Sequence, residues 1–157
     1  MGGERDKPDS KVIEVLMSTD LLQLVTSELL PRLSGMGLVV RAQEQGADFD
    51  NALVVLESGE LRVQVLRERS QLFLDIGSKA QPTCWFDSAV VIDYLGLGDD
   101  TGFHGQDPKK FVSGAASFLK TFEPELRQTF SRTEFDTTKA ELSALRDARA
   151  GRRLGFS

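Results

Sequence analysis

The sequence predicts an α+β domain with an N-terminal helical segment and an antiparallel β-meander of about four strands. Three to four C-terminal helices follow, packed mainly on one sheet face. Three observations carry this reading. Residues Asn51 to Gly77 alternate apolar and polar side chains in short runs separated by tight breaks. Both flanking regions instead space their apolar residues by three and four. No internal repeat and no low-complexity linker divides the 157 residues, so 10–150 is expected to form one domain, with 1–9 and 151–157 as flexible tails.

Taken in order, Ile13, Met17, Leu21, Leu24, Val25, Leu29 and Leu33 define the N-terminal amphipathic segment, which Pro31 should kink or end. Leu38–Ala42 is a short β-like run, and Gln43–Asp50 reads as a polar connection. Ala52–Glu57 is nearly continuous apolar sequence, as in a strand inside a sheet. Ser58-Gly59 breaks the run as a tight hairpin would. Leu61, Val63 and Val65 then alternate with Arg62 and Gln64. After the turn Arg67-Glu68-Arg69-Ser70, Leu72, Leu74 and Ile76 share one face while Gln71, Phe73 and Asp75 share the other.

The sheet is expected to end at Lys79–Pro82. Asp87 should cap a helix carrying Val90, Val91, Tyr94 and Leu95, which Gly96 stops. Gly96–Gln106 is the most loop-like stretch. Asp107-Pro108 starts a helix with Phe111, Ala115, Phe118, Leu119 and Phe122 on one face. Pro124 restarts the pattern, Leu126 and Phe130 continue it, and Ser131 to Glu134 matches a capping box before a last helix with Phe135, Leu142 and Leu145.

Composition excludes several function classes. Forty per cent apolar and 27% charged residues are ordinary for a globular domain. No apolar run approaches the roughly 20 residues that span a bilayer, and the first ten residues lack an apolar signal core. The formal charge of −5 argues against nucleic acid as a partner, because phosphate neutralisation dominates that affinity. A single cysteine, Cys84, fits a reducing cytoplasm and reads as a small core residue.

Residue constellations that carry chemistry are sparse. His104, the only histidine, lies in the glycine-rich loop with Asp99 and Asp100 close by. It is the natural base of an alternative reading, a small-molecule-binding or hydrolytic enzyme with its site at Gly96–Asp107. One His and one Cys cannot form a tetrahedral zinc site, and no phosphate-cradling glycine motif follows a strand, so no metal and no cofactor is expected. For binding, the outward set Arg62, Gln64, Phe73 and Asp75 with the turn residues Arg67, Glu68 and Arg69 combines an aromatic with charges, as an interface anchor does. The Arg-rich end of the last helix suits the negative pole of a helix.

The stretch Leu66–Asp75, followed by Trp85, Phe86 and Asp87, resembles small bacterial immunity proteins of polymorphic-toxin systems. That resemblance implies a non-catalytic, cytoplasmic, acidic α+β protein that blocks a partner toxin. The favoured expectation is therefore a non-enzymatic protein-binding module that occludes a basic toxin, without nucleic acid or membrane. A self-associating homo-oligomer is the third reading.

Overall fold

The computed structural model of the chain describes residues 21–45, 51–96 and 103–153. The leading tail 1–9, the first half of the expected N-terminal helix (10–20), the end of the polar connection (46–50) and the last four residues lie outside that description. Helix α1 (Leu21–Leu24) runs into a π turn (Val25–Leu29) and then a 3-10 turn (Leu30–Leu33). Pro31 accounts for this loosening, since it offers no N–H and its ring crowds the carbonyl four residues back. Leu30 N–H reaches back to Val25 O instead. Leu21, Val25, Leu29 and Leu33 nevertheless stay on one buried stripe.

The sheet is a five-stranded antiparallel meander in the order β1 (Val39–Gln45), β2 (Ala52–Ser58), β3 (Leu61–Glu68), β4 (Gln71–Ser78), β5 (Trp85–Asp87). The expected count of four is corrected by β5. Its three residues pair with Asp75, Ile76 and Gly77, a strand too short to show a period of its own. Strand β1 runs to Gln45 rather than Ala42. It lies at an edge of the sheet, where polar residues such as Gln43 and Glu44 are tolerated. The β2–β3 turn is Gly59-Glu60, one residue later than expected, with Gly59 at φ +60°.

Helices α2 (Ser88–Tyr94), α3 (Pro108–Thr121), α4 (Glu123–Thr129) and α5 (Phe135–Arg153) follow. Their starts obey the expected local chemistry. Asp87 accepts from Ala89 N–H at 2.7 Å, and Asp107 accepts from Lys109 N–H at 3.0 Å, ahead of Pro108. Gly96, at φ +71°, closes α2. Ser131 departs from the expected box: its hydroxyl meets Thr133 Oγ1, while its carbonyl accepts Phe135 N–H. Helix α5 continues through Gly151 to Arg153.

The core lies between the helices and one sheet face. Val54, Leu56, Leu61, Val63, Val65, Leu72, Leu74 and Ile76 meet Phe86, Phe111, Leu119, Leu126, Phe130 and Phe135. Each such side chain contributes about 1.5–3 kcal/mol on burial. Arg146 and Arg149, near the end of α5, engage the neighbouring elements. Arg146 lies 5.0 Å over the Phe86 ring, and Arg149 reaches Asp93 at 3.7 Å.

Arg127 ties three elements together without any sequence signal. Its guanidinium donates to Glu123 Oε2 (2.8 Å), Met36 O (2.7 Å), Ser58 O (3.2 Å) and Ser58 Oγ (3.0 Å). Charged hydrogen bonds of this kind contribute about 1.5–3 kcal/mol each when a buried partner would be left unsatisfied. Arg127→Met is expected to lower the urea-derived unfolding free energy by about 2–3 kcal/mol. An unchanged midpoint would show that water replaces the arginine at no cost.

Candidate functional site

Strand parity sends a second set of side chains to the sheet face opposite the core. Cross-strand pairing arranges them in three rows about 7 Å apart. The first row is Leu53, Leu66 and Phe73; the second is Val55, Gln64, Asp75 and Asp87; the third is Glu57, Arg62, Gly77 and Trp85. Leu53, Val55, Leu66 and Phe73 stand outside the core cluster.

Asp75 and Asp87 oppose each other directly across β4 and β5. Like charges in that position repel. Asp87 spends one oxygen on the start of α2, and Asp75 Oδ2 accepts from Gln64 Nε2 at 3.2 Å. Burial, with the charge of Asp87 next, pushes the Asp75 carboxyl up to about 6, although the Gln64 bond acts the other way. Neither carboxylate has an ion-pair partner among the described residues.

The neighbouring cations are engaged elsewhere. Glu57, almost fully buried, draws Arg41 Nε (3.2 Å), Arg62 Nε (3.2 Å) and Lys79 Nζ (3.7 Å). The irregularity of β1 between Val40 and Ala42 places Arg41 for this contact. Arg62 donates to Pro82 O at 2.6 Å and lies 5.0 Å over the Trp85 ring. Gly77 makes room for that ring, since a β-carbon there would sit 3.0 Å from Trp85 Cε3.

Of the expected binding residues, Arg62, Gln64, Phe73 and Asp75 do share this face, as the alternation predicts. Phe73 is half-buried and meets the His104 ring edge-on at 5.7 Å. Gln64 is only 7% exposed and serves Asp75. The expectation for Arg67 is corrected. It lies within β3 opposite Leu72 on the core side, 8% exposed, because it continues the parity of Leu61, Val63 and Val65. Glu68 closes the strand pairing and is exposed.

The turn itself is Arg69-Ser70, with φ of 50° and 66°. Hairpin turns with two positive φ values favour Asn-Gly, and ordinary side chains there carry about 1–2 kcal/mol of strain per residue.

The loop site divides differently. Asp99 and Asp100 lie outside the described residues. His104 is half-buried, with its Nε2 2.7 Å from Ser88 Oγ, and Ser88 is 0% exposed. A nucleophile needs an approachable face, which this hydroxyl lacks. The pair instead tethers the loop to the start of α2. Gly105 reinforces the tether by exchanging two backbone hydrogen bonds with Leu72, at 2.8 and 3.2 Å. Cys84 is a half-buried free thiol packed at the core margin.

No protein-family model, curated protein or solved structure matches the chain. Among the described residues no helix is long and apolar enough to cross a membrane, and no three His, Cys, Asp or Glu side chains gather as metal ligands. Sequence reading missed Asp87, Trp85, Glu57, Arg41 and Lys79 as members of this face. Only the five-strand register brings them together.

Proposed function

We propose that the chain is a protein-binding module that recognises a basic partner through the sheet face opposite its helices. The observation that carries the reading is the Asp75–Asp87 pair, opposed across two strands with no cation of the described chain answering it. An arginine or lysine from a partner would relieve the repulsion. Phe73, one row away, supplies an aromatic anchor beside it. The strained Arg69-Ser70 turn at the same end adds to the support, because stability is given up there for side chains that a stable turn would not carry. In its most concrete form the module is an immunity-type protein that neutralises a basic toxin by occlusion, the class that Leu66–Asp75 resembles.

The test is affinity capture from the native cell lysate followed by titration of the captured protein. Phe73→Ala is expected to weaken binding by about 2 kcal/mol, roughly thirtyfold. Glu125→Ala, an exposed change on α4, is expected to leave binding unaltered. A partner that responds to Glu125 and ignores Phe73 would place the interface on the helical side and sink the reading.

A further inference from the structure

The third row of the face holds more positive charge than its own carboxylate can answer. Glu57 carries one negative charge and draws three cations, with Arg41 and Lys79 both directed at the same atom, Oε1. Arg41 Nε donates a hydrogen bond to Glu57 Oε1, while Arg62 Nε stands 3.2 Å from Oε2 without hydrogen-bond geometry and contributes as a charge. The Arg62 side chain is 12% exposed, held by Pro82 O and stacked on Trp85. Arg41 and Lys79 are instead 59% and 52% exposed, so their remaining donors are open to a ligand.

Two surplus cations reaching one oxygen lie within the span of a single small anion. Their mutual repulsion is unrelieved by any other ion pair among the described residues. This concentration occurs on a chain of formal charge −5, so it is not a general basic surface.

We propose that Arg41 and Lys79, positioned by Glu57 and backed by Arg62 and Trp85, form a binding site for a dianionic oxyanion of the phosphate class. Arg41 and Lys79 together carry two positive charges, the number that a dianion would answer. Arginine suits two oxygens of such a group, while lysine acts as a point charge. The site involves residues other than Asp75, Asp87 and Phe73, so it stands or falls apart from the basic-partner reading.

Trp85 is the chain's single tryptophan, so its fluorescence reports the site directly. The experiment titrates the full-length protein with sodium phosphate at pH 7.5, with ionic strength held constant by sodium chloride. The expected result is a saturable change in Trp85 emission. In the R41Q/K79Q double variant the dissociation constant should be at least about tenfold weaker, and acetate should bind the native protein at least about tenfold more weakly than phosphate. Both substituted side chains are more than half exposed, glutamine at 41 retains an N–H donor, and Glu57 keeps the charge of Arg62 at 3.2 Å; thermal unfolding checks that the double variant is folded.

Methyl phosphate against inorganic phosphate separates the sources. Tighter binding of the ester points to a phosphorylated small molecule, and tighter binding of phosphate to the free ion. A response linear in phosphate, no response, or one undiminished in the double variant would overturn the proposal.

Discussion

Gly114→Ala is expected to destabilise the protein by about 2 kcal/mol, the reverse of what helix propensity gives. Gly114 lies inside α3, where alanine would ordinarily stabilise an exposed helix by about 1 kcal/mol. Here a β-carbon would overlap Phe103 Cβ and stand 2.7 Å from its Cγ. Phe103 is 2% exposed and packs against Phe111 and Phe118, with ring centroids 6.0 and 6.3 Å away. The ring is also held from behind. His104 is hydrogen-bonded to Ser88, and Gly105 is paired with Leu72, so the phenylalanine has little freedom to retreat.

Phe103→Ala should by itself cost about 3–5 kcal/mol through lost burial and the cavity left behind. Phe103→Ala keeps the β-carbon that the added methyl of Gly114→Ala would overlap, so truncating the ring relieves only the contacts with Cγ and Cδ2. The double variant should therefore stay less stable than Phe103→Ala alone, but by less than Gly114→Ala costs in the native background, a coupling that urea denaturation of the four proteins measures. Stabilisation by Gly114→Ala in the native background would mean that Phe103 does not seat on this helix.

Asp75→Asn is expected to raise stability at pH 7.5 by about 2–3 kcal/mol. The sign follows from the direction of the shift. In the folded chain the Asp75 carboxyl is pushed up to about 6 from an ordinary 3.8, by burial first and by Asp87 second. Between those two values the folded state holds a proton that the unfolded state has released. This group therefore favours folding most below about pH 4, and its contribution is lost as pH rises through about 6. Above pH 6 the folded state bears the full penalty, at about 1.4 kcal/mol for each pH interval separating the two values. The wild type minus Asp75→Asn difference in unfolding free energy should shrink steadily as pH falls from 7 to 4. A difference that stays flat over that range would show Asp75 to be well solvated.

Much of the fold was legible because it rests on local rules. The alternation from Leu61 to Ile76 placed Val63 and Leu74 inside and Phe73 and Asp75 on the opposite face. Asp87, Gly96, Asp107 and Pro108 marked helix ends by the backbone groups they satisfy or the conformations they allow. Arg67 was legible too, since two more steps from Val65 put it on the core side; its charged neighbours Glu68 and Arg69 drew it wrongly into the turn.

Other features depend on distant pairings. Strand β5 is three residues long and runs into a helix, so no period could announce it. Asp75 and Asp87 become opposed only through its register. Phe103 and Gly114 meet because the chain folds back from the edge of β4, and Ser88 finds His104 by the same return. Three cations on Glu57 come from β1, from β3 and from the segment after β4, and their sequence separations carry no signal.

On the proposed function, the acidic row is maintained for recognition at the expense of stability. Capture from native lysate with wild-type and Asp75→Asn baits, side by side, tests it most directly. The wild type is expected to retain a basic protein, and the asparagine variant, although more stable, is expected to bind it at least about tenfold more weakly. Equal retention by the two baits, or no retained protein on either, would contradict it.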